Sequence, residues 1–234
     1  MKKLTNVLIS IYLFLLSWDG YLLVSGITPF SLSFIPLAGL VVIFLLTVIK
    51  DDNVYYNKII LAMGLMLIYM LFSILWTSNN NVFKSYLTLA SYFLTAVIIY
   101  NLFKTYKLRP EILFAFYLGV LSIGLYAYFT GDIKDMDRGR FTLTEGFNPT
   151  WFAAQIVWAL ILSIYLFVDS NKVIKGFIIV GAITLFYLLL LTGGRNALLS
   201  LVVGLILSLI FVYRRNMKKM LMYFLLIGVI AYLG

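Results

Sequence analysis

The sequence predicts an all-α, polytopic transmembrane bundle of about nine spans, one domain over residues 1–234, with its N-terminus in the cytoplasm. Three observations predict it. Of the 234 residues 63% are hydrophobic and only 12% charged, with a mean hydropathy of +1.04. Soluble domains are near half apolar and about a quarter charged, so this chain lacks the polar groups to cover a water-exposed surface. The apolar residues come in runs close to the roughly 20 that one span requires. Finally, Lys and Arg gather in alternate connections, which is how a multi-span chain records its orientation. Intrinsic disorder needs low hydrophobicity and dense charge and is excluded. The chain has no Cys and no His, which removes disulfides, thiolate metal sites, cysteine nucleophiles and the imidazole ligand or base.

Cut at its polar punctuation, the chain yields segments 4–25, 27–49, 59–76, 85–103, 111–129, 149–168, 176–192, 196–213 and 220–234. The first follows Lys2 and Lys3 and resembles a secretory signal. No small-x-small cleavage site follows it, so it is read as a retained signal-anchor helix. Asp19 and Gly20 predict that it leaves the membrane near Trp18, with Tyr21 to Ser25 at the interface. The second and third are divided by Lys50 and Lys58, and the third and fourth by Trp76-Thr77-Ser78-Asn79-Asn80-Asn81, an interfacial Trp followed by turn chemistry. Lys104, Lys107 and Arg109 close the fourth segment. The fifth runs into the polar connection 130–148, and the sixth opens at Asn148-Pro149, an N-cap followed by Pro at the first helical position. Lys172 and Lys175 precede the seventh, and Thr192-Gly193-Gly194-Arg195-Asn196 turns it into the eighth. Residues 220–234, at about 1.5 Å each, reach only about 22 Å against a hydrocarbon core of roughly 30 Å. The expectation is a fragment whose continuation begins on the outer face.

Thirteen of the eighteen Lys and Arg then fall on one side and five (Lys84, Lys134, Arg138, Arg140 and Arg195) on the other. The thirteen mark the cytoplasm. The net charge of +9 is therefore an orientation signal, and no nucleic-acid partner is predicted. Within the spans the only charged residues are Asp19 near the first exit and Lys84 and Glu111 at span ends. Ion-coupled transporters usually keep an ionisable group at mid-membrane, so chemistry is expected at a membrane face.

The outer face offers two candidate regions. Residues 130–148 hold seven charges: Asp132, Lys134, Asp135, Asp137, Arg138, Arg140 and Glu145. A charge run of this kind is ordinarily a solvated loop. This one ends at a helix N-terminus, whose free N–H groups and dipole attract anions, and guanidinium forks suit phosphate oxygens. The second region is the turn Gly193-Gly194-Arg195. Its two glycines permit a tight reversal and leave backbone N–H groups unshielded. Arg195, on the side where basic residues are scarce, needs a lipid headgroup, an acidic loop residue or a bound substrate phosphate. The 17 Tyr and 19 Phe read as span filler and interfacial belt.

Three stretches carry a family resemblance. They are Phe72-Ser73-Ile74-Leu75-Trp76-Thr77-Ser78-Asn79 with the following Ser85 to Ser91; Arg140-Phe141-Thr142-Leu143-Thr144-Glu145-Gly146-Phe147-Asn148-Pro149; and Thr192-Gly193-Gly194-Arg195-Asn196-Ala197-Leu198-Leu199-Ser200-Leu201. Together they resemble the O-antigen ligase and polysaccharide polymerase family of bacterial cell-envelope enzymes, over most of residues 60–215. The family usually has more spans and a large outer loop with functional Arg and His, both lacking here. The resemblance implies a multi-pass protein of the bacterial cytoplasmic (inner) membrane that transfers a glycan on the outer leaflet. The donor would be a polyprenyl-diphosphate-linked saccharide and the acceptor a glycan or lipid, with inversion at the anomeric carbon and no metal or other cofactor. Membrane lipids are the surrounding partners. Arg140 and Arg195, with Arg138 as a third, would bind the diphosphate; Asn148, Gly193 and Gly194 would form the helix-end anion site. The acceptor's proton would fall to Glu145, a loop Asp or a residue beyond 234, so the 234-residue chain alone is expected to be inactive. Polymerase and ligase stay undivided, and a transporter or glycolipid flippase and a non-catalytic scaffold or fragment remain the rival readings.

Overall fold

The computed structural model describes residues 1–51, 54–74, 80–130, 141–143 and 148–213. Among these residues the regular structure is all helix, with no strand. Its elements are α1 (Lys2–Val24), α2 (Phe34–Asp51), α3 (Lys58–Ile74), α4 (Asn80–Tyr106), a 3₁₀ turn (Pro110–Leu113), α5 (Phe114–Thr130), α6 (Pro149–Asp169), α7 (Lys172–Leu191) and α8 (Arg195–Tyr213). Five helical stretches are long and apolar enough to cross a membrane: Lys2–Val24, Tyr86–Tyr106, Glu111–Thr130, Pro149–Val168 and Lys172–Leu191. The chain is therefore a multi-pass helical membrane protein in its architecture. Eight of the predicted segments coincide with α1 to α8, and the ninth, 220–234, lies outside the described residues.

One boundary differs from the expectation, the start of the second helix. The first helix runs through Asp19 and Gly20 to Val24, close to the end of the predicted segment 4–25. Asp19 is tolerated because it is buried and accepts a hydrogen bond from the Ser31 hydroxyl. Beyond Val24 the chain closes a Schellman cap, with Gly26 at φ +71° and the N–H groups of Gly26 and Ile27 bonded to Leu23 and Leu22 carbonyls at 3.2 and 3.1 Å. That reversal and Pro29 keep residues 27–33 irregular, so the second helix starts at Phe34 rather than residue 27.

Contacts divide the chain into two compact units. The first comprises Met1–Tyr12 and Ser33–Ile112, the second Leu13–Leu32 and Leu113–Gly234.

In the first unit α4 packs against both α2 and α3. The connection into α3 is held by Asn101 of α4, which is only 2% exposed. Its Oδ1 accepts the Tyr55 N–H at 2.6 Å, and its Nδ2 donates to the Tyr55 and Val97 carbonyls at 3.0 and 2.8 Å. The Thr47 hydroxyl of α2 pairs with the Tyr106 hydroxyl at 3.0 Å. Asn57 caps α3 by accepting the Ile60 N–H at 2.8 Å.

In the second unit the C-terminal half of α1 packs on α5, where the Trp18 indole donates to the Ser122 hydroxyl at 3.0 Å. α5, α6 and α7 pack on one another, and α8 packs on α6. Their core includes Tyr117, Ile123, Phe152, Ile156, Leu185, Leu188 and Leu189, all essentially inaccessible. Tyr117 satisfies its buried hydroxyl on the Ile178 carbonyl at 2.9 Å.

Candidate functional site

The candidate site lies at the end of the second unit where α7 stops and α6 and α8 begin. Asn148 adopts an extended backbone, φ −68° and ψ 116°, and its side chain accepts the Thr150 N–H at 2.9 Å. This is the predicted N-cap, with Pro149 fitting the first turn because its missing N–H has no helical partner there. α7 ends at Thr192, 1% exposed, whose hydroxyl donates to the Leu189 carbonyl at 2.7 Å. Gly193 then takes φ +60°, the left-handed conformation that a side chain disfavours. The Gly194 carbonyl accepts the Ala197 and Leu198 N–H groups, each at 3.0 Å, and so starts α8. Arg195 and Asn196 are the first two residues of that helix and are exposed, and first-turn N–H groups have no intrahelical acceptor.

Two contacts bring these pieces together. A Cβ placed on Gly194 would lie 3.5 Å from the Ala153 Cβ of α6, so the glycine turn rests on the first turns of α6. Phe141 donates its N–H to the Leu191 carbonyl at 2.9 Å, is 2% exposed, and packs its ring 5.8 Å from that of Phe152 in α6. Leu143 is fully buried as well. The stretch 141–143 is thus a plug that fixes the end of the polar connection to the same place. Of the predicted residues, Asn148, Gly193, Gly194 and Arg195 belong to one end of one unit. Arg138, Arg140 and Glu145 lie outside the described residues, and so does the predicted approach of Arg140 to Arg195.

The sequence reading missed one feature. A groove of about 790 Å³ runs along α6 and α8, with Thr150, Ala154, Trp158, Ile161 and Tyr165 on one wall and Asn196, Ser200, Val203, Gly204 and Ser208 on the other. The Ala153–Gly194 contact at one level and the Ile161–Gly204 contact two turns further on show that the two helices run in the same direction. Gly204 lets the helices come close at the second level: a Cβ there would fall 2.3 Å from Cδ1, the flexible end of the Ile161 side chain. Thr150 and Asn196 line the end of the groove that meets the two helix N-termini, adjacent in sequence to Arg195. The signal was present in the sequence. Asn196, Ser200, Gly204 and Ser208 recur every four residues, the small-xxx-small spacing of close membrane helices.

Such an arrangement can hold an anion. Arg195 and the first N–H groups of α8 lie beside the α6 start, where Asn148 already takes the Thr150 and Trp151 N–H groups, and an apolar groove leads away along the two helices. No protein-family model, curated protein or solved structure matches the chain. The class is therefore set by the fold and the site alone: a multi-pass helical membrane protein with an anion-suited helix end above an apolar groove.

Proposed function

We propose that the chain performs the donor side of glycan transfer, in the manner of O-antigen ligases and polysaccharide polymerases. The reaction takes place at the outer face of a bacterial cytoplasmic membrane. The donor is a polyprenyl-diphosphate-linked saccharide and the acceptor a glycan or a lipid. In this reading the chain makes about nine spans with its N-terminus inside, and Arg140 and Arg138 join Arg195 around the diphosphate. The observation that supports it most is the groove between α6 and α8, which ends at two helix N-termini beside Arg195. A lipid with an anionic head and a long apolar tail has this same division of polarity.

The chemistry follows from charge. The acceptor hydroxyl attacks the anomeric carbon from the face opposite the leaving group, the bond from that carbon to the diphosphate oxygen breaks, and configuration inverts. Negative charge grows on the departing diphosphate, and fixed guanidinium and N–H donors lower the barrier where they meet that charge. The acceptor's proton passes to Glu145 or an Asp of the 130–148 connection.

The test is glycan transfer by membranes that contain the chain in its full reading frame, with labelled lipid-linked saccharide supplied. Removing one donor that meets developing charge costs about 10²–10³ in turnover, so Arg195→Ala is expected to fall by that factor and Arg195→Lys by less. Transfer by Arg195→Ala at the wild-type rate ends the reading, and so does lipid-linked saccharide that crosses the bilayer without being transferred.

A further inference from the structure

The first unit carries a separate cluster of exposed cations. In the first unit, the Thr47–Tyr106 hydroxyl pair joins the ends of α2 and α4 at 3.0 Å, and the Asn101 bonds hold Tyr55 against α4. These fixed points gather Lys50, Lys58, Lys104, Lys107 and Arg109 at one end of the unit, because each lies within a turn or so of a joined residue. All five are exposed. No ion pair links any of them to another described side chain; Lys104 instead lies over the Tyr100 ring, 5.8 Å from its centroid. The acidic residues in the same stretches are Asp51, Asp52 and Glu111, so cations are in excess. Tyr55 and Tyr56 stand exposed beside them, the residue type that settles at membrane headgroups.

Lys107 adds an independent point. It follows α4 at φ +47°, with Leu108 N–H bonded to the Phe103 carbonyl at 3.1 Å. This is the Schellman position that glycine fills at least cost. A lysine held there keeps a charge where the backbone favours its absence, and a strained residue of this kind points to a role.

We infer that this end of the first unit binds the phosphate headgroups of anionic membrane phospholipids. The exposed cations and tyrosines match a headgroup layer, and the surface needs no cavity because the bilayer presents the phosphates in a plane. The inference uses no residue of the glycan-transfer site and stands or falls apart from it.

The test uses the full chain in nanodiscs of phosphatidylcholine, alone or doped with phosphatidylglycerol of the same acyl chains. Retained lipid is read by native mass spectrometry and stability by the unfolding midpoint. Phosphatidylglycerol is expected to be retained preferentially and to raise the midpoint, both effects fading in high salt. Each lysine at a charged surface changes affinity about five-fold, so Lys50→Gln, Lys58→Gln and Lys104→Gln together should weaken retention roughly a hundred-fold. Lys107→Gly separates charge from structure. It relaxes the backbone, so the midpoint in phosphatidylcholine should hold or rise, while phosphatidylglycerol retention falls about five-fold. Equal retention of the two lipids overturns the inference, as does undiminished retention by Lys107→Gly. Displacement of the lipid by millimolar inorganic phosphate also overturns it, because the site would then take free anions.

Discussion

Single polar residues decide much of this fold because the surrounding chain offers them few partners. Asn101 makes three bonds to backbone groups, two of them across 46 positions to Tyr55. Asn101→Leu keeps the volume but orphans the Tyr55 N–H and carbonyl, each worth about 1–3 kcal/mol if left buried and unpaired. A loss of about 2 kcal/mol is expected in detergent unfolding, with faster proteolysis around residue 55; an unchanged curve would mean that water or another group takes the amide's place. Gly193 presents the backbone version of the problem. At φ +60°, Gly193→Ala should cost about 1–2 kcal/mol and Gly193→Asn less, since Asn tolerates that region better. The same unfolding measurement ranks the three. At this scale the sequence was partly legible. Asn148 and Gly193 announce themselves through neighbours, Pro149 in one case and a second glycine in the other. Asn101 does not, because a lone amide in an apolar run carries no sign of a partner brought to it only by folding.

Helix boundaries and helix pairing were legible to different degrees. Hydropathy located α4 to α8 well because charged or glycine-rich connections bound them. It placed the start of α2 seven residues early because Ile27, Pro29, Phe30 and Leu32 are apolar yet irregular, and hydropathy is blind to the reversal at Gly26. The α6–α8 groove leaves no trace in the charge pattern, because close helix pairing is written in small residues. Gly204 tests that pairing. Gly204→Ala adds a Cβ that would meet the flexible end of Ile161, 2.3 Å away as placed. The shift of that side chain is offset by the roughly 0.5–1 kcal/mol that alanine gains over glycine inside a helix, so stability should hardly change. Gly204→Leu overfills the crossing and should cost about 1–3 kcal/mol. It should also narrow the groove, so bound lipid falls together with stability. If leucine is accepted as easily as alanine, the two helices do not meet where Ile161 and Gly204 place them.

The orientation of the whole molecule in the bilayer follows from charge and length. The basic residues divide thirteen to five between alternate connections, and each Lys or Arg near a span end resists translocation. α6 supplies the length argument. Its 21 residues rise about 31 Å, close to the roughly 30 Å hydrocarbon core, so Asn148 and Asn171 should face opposite sides. The expected arrangement has the connection 130–148, the α6 start and Arg195 outside, and Asn171 and the basic run Arg214 to Lys219 inside. The chain has no native cysteine, so single cysteines report position without background. In intact cells Met136→Cys and Asn148→Cys should react with an impermeant maleimide, and Asn171→Cys and Met217→Cys should react only after the membrane is opened. Asn148 and Asn171 are both exposed, so a difference between them reads sidedness rather than burial. Labelling of Met217→Cys with protection of Met136→Cys inverts the molecule and removes Arg195 from the outer leaflet. Labelling of both ends of α6 from outside would instead show that this helix does not cross the membrane.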